Sequence, residues 1–443
     1  MSPVSGILAT SPPDTPVGVA PLPRSSMAVA AFSTVVEWYD FTLYLFMTAV
    51  MSRVFFGTGP SSLLTTLAVF ALAYVMRPLG ALAFAHLGDR FGRRRVLLAS
   101  MAWMTTAMLA TALLPTRDQI GPTAGALLLL LRCVMGFSVG GEYTGVMTYL
   151  VEGAPPARRG LVAALASAAS EIGALLAVGA AAVTTASMSR PALDTWGWRI
   201  PFLFGALLAA GTLAARATMR ESPAFEQIRQ VGAPPSSPLR RTLRLHRPAL
   251  YQTFAISALG SITYYVGITY VPTYLTTTGG FSEGDALWLS TVASAAVITI
   301  TPLVGMLADR VGRRPTLLLF GGLALALPVA MFALMNNAHH TRALAGAVVL
   351  ALVAGGVSAV GASATPEQFP VTERLSGLAV GTVATTVFGG LTPYLSQTLI
   401  DTTGWSLVPG AMVALVALTT LPVLWHLPET APNRQADRVL HRP

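Results

Sequence analysis

Apolar runs are the first constraint on this chain. There are twelve, at 27–52, 62–85, 96–114, 121–150, 160–187, 198–219, 249–276, 285–307, 315–335, 343–365, 376–400 and 406–427. Crossing ~30 Å of hydrocarbon as a helix takes ~20 residues, and these runs have that length. Lipid supplies no water for exposed backbone groups, so such runs must satisfy their own hydrogen bonds as helices. The expected fold is an all-α membrane protein with twelve transmembrane helices. Composition points the same way: 53% of the 443 residues are hydrophobic and 11% are charged. A soluble domain carries about a quarter charged residues. A large soluble protein with buried core helices is the alternative, and so many runs of this length argue against it.

The net charge of +9 would suit a nucleic-acid partner, but the distribution of charge excludes one. Every basic residue other than histidine is arginine. If the amino terminus is inside, 17 arginines fall in inner loops and 5 in outer segments. That bias is the one that sets membrane topology, and it predicts both termini in the cytoplasm of a multi-pass inner-membrane protein. Residues 1–26 contain prolines and no continuous apolar stretch, so they read as a cytoplasmic tail rather than a signal peptide. Cys133 is the single cysteine, which leaves no disulfide framework. The histidines lack ligand spacing, so neither a metal nor a cofactor is expected. No nucleophile–base constellation suggests an enzyme.

The chain also repeats itself. Gly88-Asp89-Arg90-Phe91-Gly92-Arg93-Arg94-Arg95 follows the second run, and Ala308-Asp309-Arg310-Val311-Gly312-Arg313-Arg314-Pro315 follows the eighth, 220 residues later. Glu152, Pro155 and Arg159 recur as Glu367, Pro370 and Arg374 at an offset of 215, and Gly197-Trp198 recurs as Gly404-Trp405. An even number of spans per half makes the repeats parallel. The expected organisation is a tail (1–26), a six-helix bundle (27–219), a cytoplasmic linker (220–247), a second six-helix bundle (248–428) and a tail (429–443). Two such halves suit a cavity at their interface that opens to one side at a time.

The repeated loops resemble the signature loop of the major facilitator superfamily. The second copy is nearly complete from Gly305 to Arg314; the first has Ala85 and Gly88 where glycine and alanine are usual. A narrower resemblance, to the metabolite:proton symporter family, rests on motifs in both halves. They are Glu37-Trp38-Tyr39-Asp40-Phe41, Arg77-Pro78-Leu79-Gly80, Gly136 to Gly145, Trp196 to Phe202 and Glu221-Ser222-Pro223-Ala224-Phe225. Gly140–Gly145 and Ile262-Thr263-Tyr264-Tyr265 are similar to the proline/betaine branch, and Phe388 to Pro393 to the citrate branch. The resemblance implies the major facilitator fold and secondary active transport. It also implies that Asp89 and Asp309, with Arg93 and Arg313, gate the cytoplasmic side. The alternative is that the loop arginines only anchor topology. The fifth span lacks the Gly-Pro signature of drug:proton antiporters, which argues against export.

Ionisable residues inside spans are costly and usually mark pathways. Glu37, Asp40 and Tyr44 share one stripe of the first span. Neighbouring carboxylates resist ionising together, so Glu37 and Asp40 are the candidate proton carriers; a static pair satisfied by Arg132 or backbone donors is the alternative. Arg132 and Tyr143 share a face of the fourth span beside Glu142. Arg132 could bind a substrate carboxylate or neutralise an acid. Gly136, Gly140, Gly141 and Gly145 suit close helix packing. Glu171 could face the cavity and select substrate, serve as an extra proton site, or sit protonated near lipid. Tyr264 is expected at the cavity, and Tyr270 and Tyr274 in packing. Substrate-binding candidates are thus Tyr44, Arg132, Glu142, Tyr143, Glu171 and Tyr264. The leading expectation is proton-coupled uptake of a small zwitterion such as proline or a betaine. Symport of citrate or another di- or tricarboxylate through Arg132 and Arg77 is the rival, and a non-transporting sensor is a third reading. Expected partners are the solute, protons and membrane lipids.

Overall fold

The computed structural model describes residues 22–432, apart from 60–61, 232–237, 337–338, 384–387 and 390, together with residue 434. Helices cover most of the described residues of all twelve runs. The spans are α1 (Arg24–Phe46, continued by Thr48–Met51 and a π-turn at Ser52–Phe56), α2 (Ser62–Phe91), α3 (Arg93–Ala112), α4 (Thr123–Gly153), α5 (Arg159–Ser187) and α6 (Arg199–Ala217). The second half has α7 (Arg247–Tyr264, then a π-turn at Tyr265–Thr269 and Val271–Thr277), α8 (Glu283–Val311), α9 (Arg313–Ala326 with Pro328–Met335) and α10 (His340–Glu367). It closes with α11 (Arg374–Gly381 with Thr392–Thr403) and α12 (Val408–Trp425). Among the described residues eight helices are long and apolar enough to cross a bilayer, or ten when the bent helices α7 and α9 each count as one span. Bends of 43° and 44° fall where Pro272 and Pro328 remove a backbone donor. The other two spans are α1, which breaks at Met47, and α11, part of which lies outside the described residues. The described parts of the expected linker carry short helices at Pro223–Val231 and Pro238–Leu245. The expected tails lie mostly outside the described residues.

Large apolar side chains cover the outer faces; Val183 is 69% exposed and Leu207 72%. Their solvent is therefore lipid. Between α2 and α4 the glycine ladder lets backbones meet: a Cβ on Gly136 or Gly140 would sit 2.0 Å from the carbonyl oxygen of Ala73 or Arg77. The two halves meet where α5 packs on α8 and α10, and α2 on α11. Gly160 and Gly305 make the first contact possible, since a Cβ on either would lie 2.7 Å from the other's carbonyl oxygen.

Both repeated loops turn through a glycine with positive φ, Gly92 at 111° and Gly312 at 118°, a region side chains disfavour. Each turn exposes the amino terminus of the next helix, whose free N–H groups attract an anion. Glu221 accepts from the N–H groups of Arg93 (2.9 Å) and Arg94 (3.1 Å). Glu429 does the same for Arg313 (2.9 Å) and Arg314 (3.2 Å). Each half thus ends by returning a glutamate to cap its own third helix.

Candidate functional site

A cavity of about 190 Å³ lies between the halves. Its walls are Trp38 of α1, Tyr74 and Arg77 of α2, Tyr143 and Thr144 of α4, and Ser167, Ser170 and Glu171 of α5. The second half contributes Ser257, Ser261 and Tyr264 of α7, Tyr265 of its π-turn, and Ser358 and Thr365 of α10. The volume is below the ~300–1,000 Å³ of drug-sized pockets, so it suits one small molecule. Serines and threonines leave that space while offering hydroxyls; the aromatic rings form the rest of the surface. Among the described residues, charge comes from the first half alone, as one cation, Arg77, and one anion, Glu171.

Bonds across the cavity join the halves. Tyr264 hydrogen-bonds the Glu171 carboxyl, and Trp38 meets the Tyr264 ring edge-on at 5.7 Å. The hydroxyls of Tyr74 and Tyr265 are 2.7 Å apart. Gly389 of the eleventh apolar run permits that pairing, because a Cβ there would lie 2.8 Å from the Tyr74 hydroxyl and 2.9 Å from the Tyr265 ring.

Of the expected substrate residues, Tyr143, Glu171 and Tyr264 line the cavity, while Tyr44, Arg132 and Glu142 do not. Arg132 turns to α1, where it donates to Asp40 Oδ2 at 2.8 Å. The Tyr44 ring packs 4.7 Å beneath this guanidinium and its hydroxyl donates to the Thr66 carbonyl. Glu142 is consumed by Arg216, which bridges it to the Ser33 hydroxyl; Ser100 donates to the same carboxylate at 3.0 Å. Arg216, one of the 17 arginines that the sequence places in inner loops, is fully buried. Its partner stands 74 residues away in sequence, so no local pattern announced the pair.

Glu37 and Asp40 share a helical stripe as expected, but each carboxylate is matched to its own arginine. Glu37 Oε1 accepts from Arg77 at 2.7 Å. Glu37 Oε2 and Asp40 Oδ1 are buried and have no hydrogen-bond partner among the described residues. Arg77 therefore has two faces, one towards Glu37 and one towards the cavity, with its guanidinium held between the rings of Phe41 (4.8 Å) and Tyr74 (5.1 Å).

The four loop residues meet at the face where α2 and α8 end. Asp89 accepts from the N–H groups of Leu375 (3.3 Å) and Ser376 (2.8 Å), so it caps α11 of the opposite half. Asp309 accepts from Gly160 (2.7 Å) and Leu161 (2.9 Å), and so caps α5. Arg93 ties Asp89 (3.2 Å) to Glu152 (3.1 Å) and donates across the interface to the Val371 carbonyl. Arg313 ties Asp309 (2.8 Å) to Glu367 (3.0 Å). At this face both aspartates bind helix termini of the opposite half that the repeat makes equivalent.

Residues 26–233 match the sugar (and other) transporter family and residues 279–442 the Major Facilitator Superfamily. The chain is 31% identical to the proline/betaine transporter of Salmonella typhimurium over 92% of its own length and 84% of the relative's. The chain belongs to the major facilitator superfamily, in its metabolite:proton symporter family. This symporter-family protein is also 35% identical to the ectoine/proline transporter of Corynebacterium glutamicum, over 85% of the chain and 78% of the relative. The alpha-ketoglutarate permease of Escherichia coli is 34% identical over 84% of the chain and 86% of the relative. The fold matches that of the proton:xylose symporter XylE, bound to 6-bromo-6-deoxy-D-glucose, with a TM-score of 0.75 at 19% identity, covering 92% of this chain and 96% of that one.

Proposed function

We propose that this protein is a secondary active transporter that carries a small organic zwitterion inward with protons, by alternating access of its central cavity. The observation that carries this reading is the pairing of Arg77 and Glu171 as the charged members of one small aromatic-walled cavity. A guanidinium binds a carboxylate with directional hydrogen bonds. A carboxylate with ring faces beside it suits an ammonium, and each cation–π contact is worth about 0.5–2 kcal/mol. A betaine, proline or ectoine carries both charges on a compact frame. The names of the relatives from Salmonella and Corynebacterium favour the same substrates.

The arginine bias of the loops supports a cytoplasmic position for the face closed by Asp89 and Asp309. Loss of their two helix caps would open the cavity inward, while parting of Tyr74 from Tyr265 would open it outward. The proton would ride on the acids of α1, Glu37 and Asp40, each held against an arginine. Arg132, Tyr44 and Glu142 act in this reading through α1 and the bundle core rather than by touching substrate.

Symport of a dicarboxylate is the second reading, favoured by the guanidinium on the cavity and by the similarity to the alpha-ketoglutarate permease. Uptake into proteoliposomes with an imposed pH gradient separates the two. Betaine, proline and ectoine are expected to accumulate and to compete with one another. Accumulation of α-ketoglutarate or citrate with no response to the zwitterions would replace the first reading with the second. Binding without flux would make the protein a sensor.

A further inference from the structure

Arg77 touches both the cavity and a buried acid, and the two partners compete for it. Its Nη2 donates to Glu37 Oε1 at 2.7 Å, with the Arg77 side chain 17% exposed and that of Glu37 1%. The other Glu37 oxygen has no hydrogen-bond partner among the described residues. The charged neighbours of Glu37 are Arg77 from α2, Glu142 from α4 and Arg216 from α6; Tyr143 and Tyr265 are near enough to interact with it electrostatically. Glu142 and Arg216 cancel each other, as do Asp40 and Arg132. That leaves the Arg77–Glu37 pair and Glu171 as the remaining charges around the cavity.

Adding a zwitterion to this set changes no net charge but removes water. Its cation lies against Glu171 and its carboxylate against Arg77. Glu37 then shares or loses its counterion in a dry, low-dielectric space, where an unpaired carboxylate is costly. Arg77 now faces two carboxylates where it faced one, so the excess negative charge that the site already carried is moved from Glu171 to Arg77. Two acids around one cation titrate as a coupled set, and one proton brings the sum to zero.

We infer that the substrate carboxylate displaces Glu37 from Arg77, and that Glu37 takes up the coupled proton in response. The Arg77 Nη2 to Glu37 Oε1 bond is exchanged for one from Arg77 to the substrate carboxylate. A new O–H forms on Glu37, with its proton drawn from water on the side to which the cavity is open. Glu171 faces the ammonium, with Tyr264 hydrogen-bonded to its carboxyl. Asp40 keeps Arg132 and is a positioning residue in this step. On the opposite side the order reverses: substrate leaves, Arg77 recovers Glu37, and the proton is released. Coupling thus requires that the solute carry a carboxylate, a requirement that rests on the transport reading above and extends it.

The test is proton uptake on ligand binding, measured with a pH-sensitive dye on the purified, weakly buffered full-length protein. The probes are betaine, proline, α-ketoglutarate and choline, the last having betaine's cation without its carboxylate. Wild type is expected to take up about one proton per betaine or proline bound and none with choline. Glu37→Gln, which imitates the protonated acid, is expected to bind betaine and take up none. By linkage the wild-type Kd for betaine rises as pH rises, by about tenfold per unit where the full proton is taken up; this second measurement needs no variant. Equal proton uptake by wild type and Glu37→Gln, equal uptake on adding choline, or a pH-independent betaine Kd would each overturn the inference. Binding of α-ketoglutarate alone would end the zwitterion reading. The exchange at Arg77 would then stand if that ligand brings a proton that Glu37→Gln loses. Failure of all three carboxylates to bind would overturn both.

Discussion

Glu37, Asp40, Glu142 and Glu171, buried in the spans of the first half, have four distinct environments, and their substitutions should separate accordingly. Asp40 and Arg132 form a pair shielded from the cavity. Removing one partner of a buried pair costs about 3–5 kcal/mol, largely because the other charge is stranded. Asp40→Asn is therefore expected to lower thermal stability, whereas Glu37→Gln is expected to abolish uphill uptake while counterflow, which moves no net proton, partly survives. Asp40→Asn with Arg132→Gln restores neutrality and should recover much of the stability. Normal accumulation by both Asp40→Asn and Glu37→Gln would remove these acids from the coupling. Glu142 predicts the opposite split. It is spent on Arg216, Ser100 and the bundle interior, so Glu142→Gln should reduce stability yet leave the competition profile among substrates unchanged. Glu171 is the selectivity residue. Its carboxylate attracts cations and repels anions more strongly as water is excluded. Glu171→Gln is expected to weaken betaine competition by roughly tenfold or more, equivalent to about 1.4 kcal/mol, and to relax exclusion of α-ketoglutarate. Identical inhibition profiles for the two proteins would exclude this role.

Among the elements, the helix termini decide how the halves meet. α5 and α11 begin with unsatisfied N–H groups that an anion stabilises, and each receives an aspartate from the opposite half. A charge-assisted hydrogen bond to a backbone N–H is about twice as strong as a neutral one. Asp89→Asn and Asp309→Asn should each shift the population towards states open at this face, and the double variant more than either. Labelling of single cysteines in the loop-face vestibule, on a Cys133→Ser background, should rise in that order; unchanged labelling would leave the loops as topology signals. Gly160 has a steric role at the same junction. Its substitution by valine is expected to hold α5 away from α8 and raise the same labelling, because the obstacle is backbone and cannot rotate away. At the other side of the cavity α7 changes to a π-turn at Tyr265–Thr269, next to the Tyr74–Tyr265 contact. π-turns interrupt the regular ladder and often mark functional positions.

For the whole molecule, the halves are alike in frame and unlike in charge. Both have the positive-φ glycine, the returning glutamate, the arginine bound to two acids and the aspartate on the opposite half. Among the described residues only the first half brings charged side chains to the cavity; the second supplies rings and hydroxyls. This division suits a rocking mechanism in which the first half carries charge recognition and the second closes over it. It predicts that neutral substitutions on the second-half wall, such as Tyr264→Phe, change affinity and occlusion while leaving the number of coupled protons per solute unaltered. A proton:solute ratio measured from paired fluxes checks this, and a changed ratio would place a coupling group in the second half.

The long apolar runs, the arginine bias and the duplicated loops were legible in the sequence because each is periodic or compositional. Lipid admits helices, charge distribution orients them, and a repeat announces two bundles. The loop aspartates and Glu171 could be singled out for the same reason: an acid at a membrane boundary or inside a span needs an explanation. What the sequence could not assign was the partner of each buried charge. Arg216 reads as a loop arginine until α6 is packed against α4 and its guanidinium reaches Glu142. Arg132 reads equally well as a substrate ligand until α4 turns it towards Asp40. Glu37 and Asp40 look like one acid pair on their own helix, and only α2 and α4 divide them between two arginines. The facing glutamates Glu221 and Glu429 carry a faint signal, an acid followed by a hydroxyl residue after the last span of each half. Their role as caps appears only when each returns to its third helix. Helix formation depends on neighbours three and four residues away, whereas ion pairing in lipid depends on which helix faces are brought together, and that was decided by tertiary packing alone.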